Sequence, residues 1–148
     1  MTSISAFLTP DHQHCDALFA TAEAAVAKGD WGAAADAWAR FHDALRHHFA
    51  MEEEVLFPAF EARTGMTQGP TQVMRMEHRQ MTDLLNQLAD ALARQDTDTF
   101  LGDCETLLII MQQHNMKEEH ILYPAALQSA GATAAELSAQ VAARREAV

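Results

Sequence analysis

The chain has 148 residues, 49% of them hydrophobic, enough for one buried core and too few for two comfortable ones, so a single domain over 1–148 is expected. Its formal charge of −11, with no run of Lys and Arg to offset it, argues against nucleic acid and anionic membranes as partners. No segment reads as a bilayer span, and Met1 to Thr9 lacks the basic residues and long apolar run of a secretory leader, so a cytoplasmic location is expected.

Ala, Leu, Met, Glu and Gln dominate the long segments while β-branched residues are sparse, which predicts an all-α fold. Thr9-Pro10 reads as an N-cap with Pro at the first helical position, opening a helix over about 10–28 with Cys15, Phe19, Ala22 and Val26 inward. Asp30 caps a second, long helix whose stripe Trp38, Phe41, Leu45, Phe49, Leu56, Phe60 runs to Thr64-Gly65, with a kink at Pro58. After a loop over 64–69, Pro70 opens a third helix with Met74, Met81, Leu85, Leu88 and Leu92 inward. Polar Gln95-Asp96-Thr97-Asp98 separates it from a fourth, striped by Leu101, Cys104, Leu107, Met111 and Ile121. Thr133 followed by Glu136 has the spacing of a capping box and predicts a short C-terminal helix over about 134–147. Four helices with short loops predict an antiparallel up-down-up-down bundle over about 10–128. Cys15 and Cys104, one to a helix, are expected to be reduced and buried.

The chain repeats itself. The run from His48 to Ala59 recurs 66 residues on, from His114 to Ala125, with the shared pattern H-x-x-x-E-E-x-[VI]-L-[FY]-P-A. The same offset carries Asp11-His12 onto Glu77-His78, so the first helical hairpin and the second are two copies of one unit. His12 and His48 stand equally far from the turn at residue 30, and His78 and His114 equally far from the turn at residue 96. In antiparallel hairpins each pair must be level, and the midpoint of Glu52 and His78 falls in the central loop, at Gly65, so all four histidines can converge at one height. Each lies on its helix's apolar stripe, and Glu52 and Glu118 come four residues after His48 and His114, on the same face.

Four imidazoles and two carboxylates inside an apolar bundle, with no inward Lys or Arg, call for a cation. His12, His48, Glu52, His78, His114 and Glu118 suit two divalent ions, one between His12 and His48 and one between His78 and His114, each also taking an oxygen from both glutamates. Nitrogen and oxygen donors without a thiolate favour iron, with manganese or zinc as substitutes, and four protein donors per ion leave room for a bridging oxygen and an external ligand. His14, His47 and His120 fall on outward positions, as do Glu53, Glu54 and Glu119, while His42 lies between Trp38 and Leu45 and is a candidate for a pocket near the site.

With Asp11-His12, His48-x-x-x-Glu52 before Leu-Phe-Pro, Glu77-His78, and His114-x-x-x-Glu118 before Leu-Tyr-Pro, residues 7 to 128 resemble the hemerythrin-like (HHE cation-binding) domains. The resemblance implies a non-haem di-iron centre bridged by two carboxylates, with an oxo or hydroxo bridge, and binding of O2, NO or peroxide. Oxygen-carrying hemerythrins have a further histidine four residues before the third-helix ligand, where this chain has Met74, and an aspartate where it has Glu119. The symmetric four-His, two-Glu set is similar to that of repair-of-iron-centres proteins, although the short cysteine-bearing N-terminal domain of many of those is not expected within residues 1–148. The expected function is reversible binding of O2 or NO as carrier, sensor or scavenger. The alternative is a di-iron enzyme or iron donor acting in peroxide or NO reduction or in iron-sulfur centre repair.

Overall fold

Helix succeeds helix through residues 4–146, the part of the chain that the computed structural model describes. The helices are α1 (Ile4–Ala27), α2 (Trp31–Met51), α3 (Phe57–Thr64), α4 (Pro70–Ala93), α5 (Thr97–Lys117), α6 (Tyr123–Ala130) and α7 (Ala134–Glu146). Two π-helical turns, Glu52–Leu56 and Glu118–Leu122, join α2 to α3 and α5 to α6, so each pair runs on as one interrupted rod. Among the described residues there is no strand, and no helix is long and apolar enough to cross a membrane.

The side chains of Asp30 and Asp96 accept hydrogen bonds from the N–H groups of Ala33 and Thr99, each at 3.1 Å, and so start α2 and α5. The residue before each cap is left-handed, Gly29 at φ 76° and its repeat counterpart Gln95 at φ 53°. Glycine adopts that conformation without strain, whereas the Cβ of Gln95 meets its own carbonyl. Gln95→Gly is therefore expected to raise stability by about 0.5–1 kcal/mol, the relief of strain being partly offset by a freer unfolded chain. A urea midpoint that falls would contradict this.

Helix α1 lies along α2 and α4 along α5, with further contacts between α1 and α5 and between α2 and α4. Two apolar clusters fill the bundle. One, toward the inter-helix turns, contains Phe19, Trp38, Phe41, Leu85, Leu88 and Phe100; the other, toward the opposite end, contains Ile4, Leu8, Leu56, Phe57, Leu122 and Tyr123. Helix α7 joins the second by burying Leu137 and Val141, and it is tied down by Arg144 on Glu54 at 3.0 Å and Arg145 on Asp11 at 3.4 Å.

Three expectations are corrected. Helix α1 begins at Ile4 rather than near residue 10, because Ile4 and Leu8 are fully buried in the second cluster and carry the helix through Pro10, whose ring faces solvent. Thr133 does not cap α7 as a capping box would require; it closes a short 3-10 turn, Gly131–Thr133, and its hydroxyl donates to the carbonyl of Ala130. The expected C-terminal helix is otherwise present as far as Glu146, and residue 147 lies outside the described residues. Ile121, expected inward, is 59% exposed.

The exposure of Ile121 has a cause that also shapes the site. Pro58 and Pro124 lack an N–H, and their rings clash with the carbonyl one α-turn back, so the ladder cannot continue unchanged. The chain widens instead: the N–H of Phe57 reaches the carbonyl of Glu52, and that of Tyr123 reaches the carbonyl of Glu118, five residues back. The expected kink at Pro58 is this wide turn. It rotates the downstream residues, so that Phe57 and Tyr123 become fully buried while Ile121 swings out.

Candidate metal centre

The wide turns begin at the two glutamates that the repeat singles out, and they sit between the apolar clusters. Glu52 and Glu118 are wholly buried there, and His12 on α1, His48 on α2, His78 on α4 and His114 on α5 are each at most 4% exposed. The six side chains gather into two groups that could hold a metal ion, His12-His48-Glu52-Glu118 and Glu52-His78-His114-Glu118, with ligand atoms within 4.8 Å of one another in each. Both glutamates belong to both groups. Glu118 Oε1 lies 3.0 Å from His12 Nε2 and 3.2 Å from His114 Nε2, and Glu52 Oε1 lies 3.1 Å from His78 Nε2 and 3.5 Å from His48 Nε2.

Behind each imidazole stands an acid. Nδ1 of His48 meets Asp11 at 2.8 Å and that of His114 meets Glu77 at 2.9 Å, within each hairpin; Nδ1 of His78 meets Glu53 and that of His12 meets Glu119, both at 2.7 Å, between hairpins. The four contacts obey the 66-residue repeat. Glu53 and Glu119, expected to be solvated, are thus corrected: each lies one residue past the inward glutamate and points sideways, to the histidine of the neighbouring hairpin. Glu54 is on the surface as expected, paired with Arg144. Asp11 is in turn held by Arg145, and Glu77 by the ammonium of Lys117.

Those acids fix the tautomer. A carboxylate has no proton to give, so each Nδ1 carries the hydrogen and donates it outward, leaving the Nε2 lone pair aimed at the centre. There the lone pairs meet one another and the glutamate oxygens. His78 Nε2 and His114 Nε2 are 3.2 Å apart, and Glu52 Oε1 and Glu118 Oε2 are buried with no hydrogen-bond partner, the 3.1 Å approach of His78 to Glu52 lacking hydrogen-bond geometry. Inward lone pairs and orphaned carboxylate oxygens repel unless positive charge lies among them. Without a metal, protons must serve. Burial disfavours the charged imidazolium, yet the charge of Glu52 and its neighbours holds His48 well above the ordinary histidine range. The carboxylates of Glu52 and Glu53, 3.1 and 2.7 Å from its two nitrogens, likewise overcome burial and lift His78 to about 9, and the charge of Glu118 lifts His114. Burial opposes the ionised form of Glu118 too, but the charge of His114 outweighs it and holds this carboxyl well below its usual range.

The residues fit a pair of divalent cations with nitrogen and oxygen donors. Neither cysteine belongs to the centre: Cys15 and Cys104 are free, lie in the apolar cluster near the turns, and have thiols pushed by burial up to about 12. An acid behind a ligand histidine orients its ring and raises its basicity. Glu53→Ala is expected to weaken metal affinity by about 10–100-fold, whereas Glu54→Ala, one residue along, leaves it unchanged. Competitive titration against a chromogenic chelator reads both, and equal affinities would show that the Glu53 contact does not act on the metal.

Tyr123 is a further residue that sequence reasoning misses. Five positions past Glu118 it falls off an α-helical face, and the Pro at 124 is the available sign of the wide turn that brings it inward. Its hydroxyl is 2.6 Å from Glu52 Oε2. Met74 is buried one turn before His78, in the apolar cluster. His14 and His120 do not reach the centre, and half-exposed His47 bonds through Nδ1 to the carbonyl of Asp43. His42 is half-buried beside Trp38 and lines a groove of about 450 Å³ that also reaches Phe49, Glu53 and Thr82.

Residues 3–126 match the family model described as the hemerythrin HHE cation binding domain. No curated protein and no solved structure matches the chain.

Proposed function

The chain belongs to the hemerythrin HHE cation-binding domain family, and from that premise we propose that it is a di-iron protein that binds O2 or NO reversibly, as carrier, sensor or scavenger. The observation that carries the reading is the sharing of Glu52 and Glu118 between two four-donor groups, the arrangement two carboxylate-bridged ions need. His12 and His48 hold one ion and His78 and His114 the other, in an antiparallel up-down-up-down bundle and a cytoplasmic setting. Nitrogen and oxygen donors without thiolate favour iron, with manganese or zinc able to substitute.

Iron held by these six residues would supply reversible one-electron chemistry toward a small ligand. The chain's own residues do the rest. Asp11, Glu53, Glu77 and Glu119 hold the rings with Nε2 inward, and the two apolar clusters close the layer above and below. A histidine-rich, weakly anionic centre favours binding over oxidative attack on an organic substrate. Anaerobic stopped-flow mixing of the diferrous protein with O2 tests this: a spectrum that forms and then reverts under argon is expected. Irreversible oxidation with consumption of peroxide would replace the binding reading with an enzymatic one.

A further inference from the structure

One difference between the two halves of the centre lies in what the wide turns bring inward. Phe57 and Tyr123 are repeat counterparts, both brought inward by the wide turns and both fully buried. Phe57 lies against the ring of His78, centroids 5.6 Å apart, and offers no donor atom. Tyr123 places its hydroxyl 2.6 Å from Glu52 Oε2, 3.1 Å from Glu118 Oε1, 3.2 Å from His12 Nε2 and 3.5 Å from His48 Nε2. One oxygen therefore touches every residue of the first group.

Donors bound at about 2.1 Å to one ion in octahedral geometry stand about 3 Å from their neighbours. The Tyr123 oxygen keeps close to that spacing from all four residues, as a fifth member of the same shell would. We propose that Tyr123 is a protein ligand, through its phenolic oxygen, to the ion held by His12, His48, Glu52 and Glu118. The two metal positions are then chemically distinct: one has five protein donors, and the other, beside Phe57, has four and keeps the position open to a small external ligand. When the ion binds, the O–H bond breaks, the proton leaves to solvent, and the oxygen's electron pair forms the bond to the metal; no electron is transferred.

The inference rests on the di-iron reading, and one experiment separates the two. The chain has a single tyrosine, so any tyrosinate signal has one source. Protein loaded with iron and oxidised to the ferric state is expected to hold two irons and to show a visible tyrosinate-to-iron charge-transfer band, with phenolate ring modes in its resonance Raman spectrum. Tyr123→Phe is expected to lose band and modes completely while keeping iron and helix content, since phenylalanine already fills the counterpart position. Two irons in the wild-type protein without the band would overturn the tyrosine ligand and leave the di-iron centre standing. Failure of the wild-type protein to bind iron would overturn both.

Discussion

Replacing Glu118 with alanine is expected to remove both metal ions, whereas replacing His48 or His114 removes one ion and loosens the other. The difference lies in the geometry: Glu118 reaches His12 at 3.0 Å and His114 at 3.2 Å and belongs to both ligand groups, while each histidine belongs to one. Loss of the shared carboxylate takes a donor from each ion and half the glutamate charge that balances them. Elemental analysis of purified variants checks this. Glu118→Ala should fall close to zero ions per chain, His48→Ala and His114→Ala to one or fewer, and His14→Ala, exposed and outside the centre, should match the wild-type protein. Equal metal in all four would remove the ligand assignment.

The second large effect is on stability. A centre that exists only in the folded chain stabilises the fold by mass action, by about 4 kcal/mol when free metal exceeds its dissociation constant a thousandfold. Its dependence on pH should change sign with occupancy. In the metal-free protein His48, His78 and His114 have raised pKa values, so the stability they contribute is fully present below the unfolded value of 6.5 and is lost as pH rises through the folded value, about 9 for His78. Metal requires those nitrogens deprotonated, so the loaded protein should gain stability over the same rise in pH. Chemical unfolding of both forms between about pH 6 and pH 9 reads the two slopes directly, and parallel slopes would contradict this electrostatic account.

The candidate ligand set is legible in the sequence because the six residues satisfy two independent constraints, α-helical periodicity and the 66-residue repeat, and the structure gathers all six into two groups that could hold a metal ion. The acids behind the histidines are less legible. All four recur at the 66-residue offset, but each acts on a histidine of another helix, which leaves no spacing to read, and Glu53 and Glu119 follow the inward glutamates at positions that helical periodicity assigns to the solvated face. Tyr123 and Ile121 escape for one reason: a steady advance per residue does not hold through Glu118–Leu122, where the chain widens before Pro124 and moves the inner face by one position. The start of α1 escapes because Pro10 has the look of a helix opening, whereas burial of Ile4 and Leu8 dominates the local preference.

The metal content of the protein purified from iron-sufficient medium tests the central claim most directly. Two ions per chain, mostly iron, falling to near zero in Glu118→Ala, is the predicted result. A wild-type protein that carries no metal and takes up none when iron is supplied would contradict it, since the inward lone pairs and unpartnered carboxylate oxygens would then have some other resolution.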